Sequence, residues 1–239
     1  MDRSETLDLL RRSGLLDPLR GGAVAAGIGR WGPSLAAGVM AGALRTPLGG
    51  AVVDPSGVVS WSALDRRTTQ LARGIHGIGV GRGATVGILC RNHVGFVVAV
   101  VAAAKAGLTP VLLNTGSAAA QLEEILDREG VDLVVTDDDR RGELESIDFD
   151  GRIVDVRSFE RLQRAGRRRL DPLVPKVAAP VLMTSGTTGT PKGARRSLRS
   201  GSAGAGVGLL GMVPYRSDDV FVLPAPLFHA WGFSNRTVS

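Results

Sequence analysis

The chain has 239 residues, 44% hydrophobic and only 4% aromatic, with 29 Lys and Arg against 23 Asp and Glu and a single cysteine. That is enough apolar material for one large domain or two small ones with a Val, Leu, Ile and Ala core; the lone Cys90 excludes an internal disulfide and fits a reducing cytoplasm. The net charge of +6 comes mostly from arginines, clustered at 164–169 and at Arg195, Arg196 and Arg199 without the interleaved aromatics that stack on bases, so a solvated basic face is expected and a nucleic-acid partner is not.

The first residues, Met-Asp-Arg-Ser-Glu, have no basic run leading into an apolar stretch and do not read as a secretory signal. Residues 1–45 read as an Ala/Gly-rich helical lead-in resting on the domain or on a membrane surface. Arg30 and Pro33 break it into pieces short of the ~20 apolar residues a span needs. Within it, Gly27-Ile28-Gly29-Arg30-Trp31-Gly32 matches the dinucleotide pattern G-x-G-x-x-G. A working fingerprint follows a buried strand and is answered by an acid about twenty residues on. Here no such strand precedes it and Pro33 follows at once, so a Rossmann dehydrogenase is rejected.

Residues 46–137 read as a first α/β lobe. Two strands, 51–53 and 58–61, flank the turn Asp54-Pro55-Ser56-Gly57 and predict a hairpin. Ser62 is placed to cap a helix from 63 to about 75. A strand at 85–89 follows the loop through Gly83, and Asn92 or His93 opens an apolar helix ending near Gly107. Cys90, closing the apolar run, reads as a buried inert thiol. Then come a short strand at 110–113, a helix capped by Ser117 with Leu122, Ile125 and Leu126 on one face and ending at Gly130, and a strand at 132–136. Strands alternating with helices predict right-handed crossovers and a largely parallel sheet. Residues 138–176, charged and without clear period, read as a variable linker, and 177–239 as the start of a second α/β lobe.

The densest chemical signal opens that second lobe. After the apolar run Val181, Leu182, Met183 come Thr184, Ser185, Gly186, Thr187, Thr188, Gly189, Thr190, Pro191, Lys192 and Gly193. A strand emptying into a glycine- and hydroxyl-rich loop exposes successive backbone N–H groups, a nest that binds phosphate, and Lys192 adds a mobile positive charge. The spacing is not Walker A: counting from Gly186, Pro191 stands where the second glycine belongs and Gly193 where the magnesium-binding hydroxyl belongs. A P-loop NTPase is therefore disfavoured. Farther on, a polar turn at 217–219 leads into a strand-like 220–223, then Pro226-Leu227-Phe228-His229 and Ala230-Trp231-Gly232-Phe233.

The 184–193 string closely resembles the phosphate-loop signature of the AMP-forming acyl-CoA synthetases (fatty-acid–CoA ligases) of the adenylate-forming superfamily. Pro-Leu-Phe-His-x-x-Gly resembles the segment that these enzymes carry beside their acyl pocket. The Arg91-Asn92-His93 turn, the Lys105-Ala106-Gly107 step and the strands at 110–115 and 131–135 extend the resemblance over residues 46–239. It implies the N-terminal part of the adenylate-forming large domain, with mostly parallel sheets flanked by helices. It also implies ATP-dependent activation of a carboxylic acid, by default a fatty acid, to acyl-AMP and then acyl-CoA, with ATP, Mg2+ and coenzyme A as cofactors and co-substrates. Carried over by position, Thr184, Ser185, Gly186, Thr187, Thr188, Gly189 and Lys192 would hold the phosphates, with no metal ligand among them. His229 would act near the carboxylate, and Phe228, Trp231 and Phe233 would wall the acyl pocket. The resemblance lacks the family's aromatic-Gly-x-Thr-Glu motif and its C-terminal catalytic lysine. The expectation is thus a truncated fragment inactive alone, with a separate chain carrying the remainder, in the cytoplasm; the alternative is a non-catalytic nucleotide- or acyl-binding module.

Overall fold

A computed structural model of the chain describes residues 11, 17–169, 172–174, 180–184, 192–195 and 219–228; in the last two strands only the side chains of Val181 and Met183 are described. Helix α1 (Pro18–Trp31) starts on Asp17, whose carboxylate accepts from the N–H groups of Leu19 and Arg20, with Pro18 at the first helical position. The G-x-G-x-x-G string lies within this helix and its C-cap, Gly32, so it is no nucleotide loop. Gly27 serves packing instead: a Cβ there would run into the Ala37 carbonyl of α2 (Leu35–Arg45).

The hairpin forms as expected, from β1 (Gly50–Asp54) and β2 (Gly57–Ser60), antiparallel with Asp54 opposite Gly57. Helix α3 (Trp61–Gly77) begins earlier than the sequence reading. Ser60, not Ser62, is the cap, its hydroxyl accepting from Ala63 N at 3.3 Å. Trp61 belongs to the helix and not to the strand, because its ring packs over Gly42 of α2. Ser-Trp-Ser offers two equivalent caps, and that tertiary contact chooses between them.

The parallel sheet appears as predicted. Strand β3 (Thr85–Leu89) pairs in parallel with β4 (Thr109–Leu112) on one side and β5 (Leu133–Thr136) on the other. Helix α4 (Val94–Ala106) joins β3 to β4, opening on His93 and closing on Gly107 in the left-handed conformation (φ 73°). From Gly95 to Ala103 it is apolar on every side because it is buried on every side, and its one charged residue, Lys105, is buried as well. Helix α5 (Ala119–Arg128) buries Leu122, Ile125 and Leu126, as the spacing requires. Its cap differs from the expectation: Ala118 holds that position, and Ser117 is turned inward, 5% exposed, with its hydroxyl unpaired. The turn that Asn114 organises, accepting from Gly116 N at its side chain and from Ser117 N at its carbonyl, swings Ser117 away from the helix start.

Residues 138–176 are not a featureless linker. They contain two 3-10 turns (Asp138–Arg140 and Val156–Ser158), α6 (Arg141–Glu145), β6 (Arg152–Asp155) and α7 (Phe159–Arg167). Strand β6 pairs in parallel with β5, and α7 buries Phe159 and Leu162 against the core. Their apolar positions are too few and too short to show a period. β7 (Val181–Thr184) then pairs in parallel with β4, so the phosphate-loop strand extends the sheet of the first lobe and does not begin a separate one. β8 (Lys192–Arg195) closes the edge antiparallel, giving the order β6-β5-β3-β4-β7-β8. Residues 220–223, expected as a strand, run as irregular chain, and Val220 and Val222 stand exposed.

The two faces of the sheet are covered by different helices. Ile88, Leu112, Leu133 and Val135 point into a core shared with α2, α3, α4 and α7, whereas Leu89, Val111, Val134 and Val181 pack with α5 and α6. Because successive strand residues alternate faces, both sides read as continuous apolar runs.

Candidate functional site

Helix α4 leaves β3 toward one face and α5 leaves β4 toward the other, so a topological switch point lies between the C-terminal ends of β3 and β4. In open α/β sheets, ligands bind at such a crevice. The parallel register (Ile88 with Leu112, Leu112 with Leu182) brings the end of β7 to the same edge. From there residues 185–191 connect β7 to β8, and the two ends of this connection are held together, Thr184 pairing with Lys192. Thr184 and Lys192 thus sit side by side in the backbone ladder at the mouth of the loop; Lys192 and Gly193 belong to a strand, not to the loop itself. Ser185, Gly186, Thr187, Thr188 and Gly189 lie outside the described residues, as do the side chains of Thr184 and Lys192, and His229, Trp231 and Phe233.

Phe228 is described. It is half-buried and packs against the main core, next to Leu227, which is 4% exposed. This segment is fastened to the β3–α4 turn: Asn92 Nδ2 donates to the Ala225 carbonyl at 2.9 Å, and Leu227 N donates to Asn92 Oδ1 at 2.8 Å. The two separate sequence signals, the Arg91-Asn92-His93 turn and Pro-Leu-Phe-His, therefore meet in space at the switch point.

Asp137, just past β5, anchors that turn from below. It accepts from His93 Nε2 at 2.6 Å and from Arg91 N at 2.9 Å, with the Arg91 guanidinium 3.4 Å away. His93 Nδ1 accepts from Gly95 N, so the Nε2 proton is the one given to Asp137. The guanidinium of Arg91 also pairs with Asp139 at 2.8 Å. Burial pushes the Asp137 carboxyl up, yet the hydrogen bonds from His93 and Arg91 N and the nearby guanidinium hold it below 3.8. Sequence reasoning passed over Asp137; the only signal was an acidic run directly after a strand. Its stabilisation is complete above pH 3.8 and is lost as pH falls through its lowered folded value. Asp137→Asn is expected to cost about 1–3 kcal/mol at pH 7, with the gap to wild type closing in acid, as read by urea unfolding from pH 7 to pH 3.

Cys90, His93 and Asp137 place ligand atoms within 4.8 Å of one another, the one such group among the described residues. Burial, then the Asp137 charge, push the Cys90 thiol well above 9.0, and it donates to the Val135 carbonyl at 3.7 Å. With the thiol protonated, both imidazole nitrogens engaged and a guanidinium beside the carboxylate, these residues form a hydrogen-bonded support and not a metal centre. Cys90 is the buried thiol expected of it.

A doubly covered, mostly parallel sheet in which β7, beside β4, leads into a glycine- and hydroxyl-rich sequence belongs to the α/β class in which nucleotides are commonly bound at the carboxyl ends of the strands. Residues 41–238 match the family model described as AMP-binding enzyme, and the chain belongs to that family. It is 30% identical over 135 residues to surfactin synthase subunit 1 of Bacillus subtilis (strain 168), a match covering 56% of this chain and 4% of that protein. It is 28% identical over 179 residues to the 2-succinylbenzoate–CoA ligase of Bacillus cereus (strain AH820), covering 74% of this chain and 35% of the ligase. Among solved structures it is similar to the o-succinylbenzoate coenzyme A synthetase of Bacillus subtilis in complex with AMP, with TM-score 0.70, 25% identity, and coverage of 84% of this chain and 52% of the synthetase. The chain spans about half of that structure and about a third of the Bacillus cereus ligase. The fold matches the N-terminal domain of adenylate-forming enzymes. Among the described residues no helix is long and apolar enough to cross a membrane.

Proposed function

We propose that this chain supplies the nucleotide-gripping part of an AMP-forming ligase that activates a carboxylic acid, by default a fatty acid, and passes it to the thiol of coenzyme A. The observation that carries the reading is the connection of residues 185–191, rich in Gly, Ser and Thr, spanning the paired ends Thr184 and Lys192 at the carboxyl edge of the sheet, beside β4. In the first step a carboxylate oxygen attacks the α-phosphorus of ATP, and the bond to pyrophosphate breaks. In the second the thiol sulfur attacks the acyl carbon, AMP leaves, and the thiol proton passes to solvent.

Both partners of the first step are anions, so the chain's task is to neutralise and orient. Thr184, Ser185, Thr187 and Thr188 would donate to the β- and γ-phosphates, Gly186 and Gly189 would let the backbone approach, and Lys192 would offset charge on the departing pyrophosphate. Mg2+ bound to the triphosphate would supply further charge neutralisation. His229 would stand near the acid's carboxylate, with Phe228, Trp231 and Phe233 along its apolar part. The o-succinylbenzoate named for the relatives keeps aryl acids within the substrate class to be assayed.

Calorimetric titration with ATP tests the reading. Lys192→Ala is expected to weaken binding by about tenfold to a hundredfold, the loss of one charge-assisted contact. Equal affinity in a folded variant would defeat it. In the whole protein, pyrophosphate should exchange into ATP only when a suitable acid is present. ATP binding without any such exchange would instead identify a non-catalytic nucleotide-binding module.

A further inference from the structure

Where α3 packs against α7, the start of α4 completes a cleft of about 590 Å³. Its rim carries Arg66 and Arg67 from α3 and Arg164 and Arg167 from α7, and the buried Val98 and Phe159 line it below. Among the described residues the one carboxylate on this rim is Glu160, and Arg164 takes it at 2.9 Å. Arg66, Arg67 and Arg167 have no hydrogen-bond or ion-pair partner among the described residues. Cations gathered on one concave rim repel one another and draw an anion in. The backbone donors at the start of α4 are already engaged: Val94 N gives to Asp54 Oδ2 at 2.7 Å and Gly95 N to His93 Nδ1 at 2.9 Å. Recognition in this cleft therefore falls to the guanidiniums, whose planar forks suit phosphate oxygens.

We propose that the cleft binds an organic phosphate, its phosphate group held by Arg66, Arg67 and Arg167 and its apolar substituent lying on Val98 and Phe159. The volume falls within the roughly 300–1,000 Å³ of small-molecule sites. A phosphate monoester carries about two negative charges at neutral pH and several acceptor oxygens, so it answers more of these guanidiniums than a carboxylate does. The cleft is built from α3, α7 and the start of α4, whereas residues 185–191 join β7 to β8, so the proposal stands independently of the proposed function. A soluble phosphate monoester and the headgroup of phosphatidate in a membrane offer the same chemistry, and the experiment separates them.

The test follows the fluorescence anisotropy of 1-naphthyl phosphate titrated with the full chain. Arg66→Gln together with Arg67→Gln is expected to weaken binding by about tenfold or more. Arg161→Gln together with Arg168→Gln removes the same charge from exposed positions outside the cleft and should leave the affinity within about twofold. Lys192→Ala should do the same. Inorganic phosphate, which lacks the apolar group, should displace the probe with about tenfold weaker affinity. A second arm sediments the protein with phosphatidylcholine vesicles, with and without phosphatidate. Retention on the phosphatidate vesicles that is lost in the Arg66/Arg67 variant, without binding of the soluble probe, would support the site and assign it to a lipid headgroup. Equal losses in the two double variants would reveal diffuse attraction to a basic surface and overturn the site, as would a wild type that binds neither probe. Loss in Lys192→Ala alone would put the probe in the phosphate loop and overturn it too. Competition by inorganic phosphate as strong as that of unlabelled phenyl phosphate would overturn the organic substituent.

Discussion

Asp65→Ala is expected to destabilise the protein by about 3 kcal/mol, the low end for breaking a buried ion pair because Asp65 itself is one-third exposed. Its partner, Lys105, lies on α4 with no exposure at all. Its ammonium donates to Asp65 Oδ1 at 2.7 Å, to the Asp65 carbonyl at 2.9 Å and to Thr69 Oγ1 at 2.9 Å, with the Trp31 ring 5.4 Å away. Burial pushes Lys105 below 10.5, and Asp65 opposes that fall. Because the folded state holds this proton less tightly than the unfolded chain, the group's contribution to stability rises with pH between its folded value and 10.5. Without Asp65 the folded value drops further. The gap between variant and wild type should therefore be widest at the low end of the range and narrow as pH rises from the variant's Lys105 value to the wild-type one. Urea unfolding at a series of pH values measures this. Adding Lys105→Met should restore much of the loss, since a neutral side chain of similar length leaves no buried charge. A gap independent of pH would mean that the unpaired ammonium is not the cause.

Gly166→Val should be comparably costly, about 3 kcal/mol at the upper end of ordinary overpacking. At the crossing of α3 and α7 the helices touch backbone to backbone: a Cβ on Gly166 would overlap the Gln70 carbonyl, and one on Gly74 would overlap the Leu162 carbonyl. Carbonyls within a helix cannot step aside, so α7 must lift. Lifting it disturbs Val156, which packs against Gly95 at the start of α4, beside His93 and Asn92. The variant should accordingly lose Leu227 amide protection as well as stability. Gly142→Ala, in open space on α6, is the control and should be neutral or slightly stabilising. An unfolding midpoint for Gly166→Val equal to that of wild type would refute the close crossing.

Both predictions fall on residues whose importance local sequence conceals. Lys105 reads as a helix-ending base, yet the helix is wholly enclosed and its terminal charge needs Asp65, forty residues earlier. Gly166 sits in an arginine-rich stretch whose few apolar residues show no period, so α7 and β6 read as linker in the sequence. The central elements were legible for the opposite reason. The strand at 85–89 and the His93 and Gly107 caps of α4 are specified by apolar runs and by backbone conformations that only a few residue types favour. The rejected dinucleotide pattern was also decided locally, since no strand preceded it, and it lies within α1.

By itself the sequence determined the alternation of strands and helices and the phosphate-loop signature, because both are written in contiguous residues. Tertiary structure decided which helix cap is used, that residues 152–155 join the sheet, and that β7 lies beside β4 rather than in a separate lobe. It also decided that Asn92 meets residues 225–227 and that Asp137 secures the turn between them. These are pairings between residues tens to more than a hundred positions apart. They depend on which strand edges remain free once the local elements have formed, and no local periodicity records that choice.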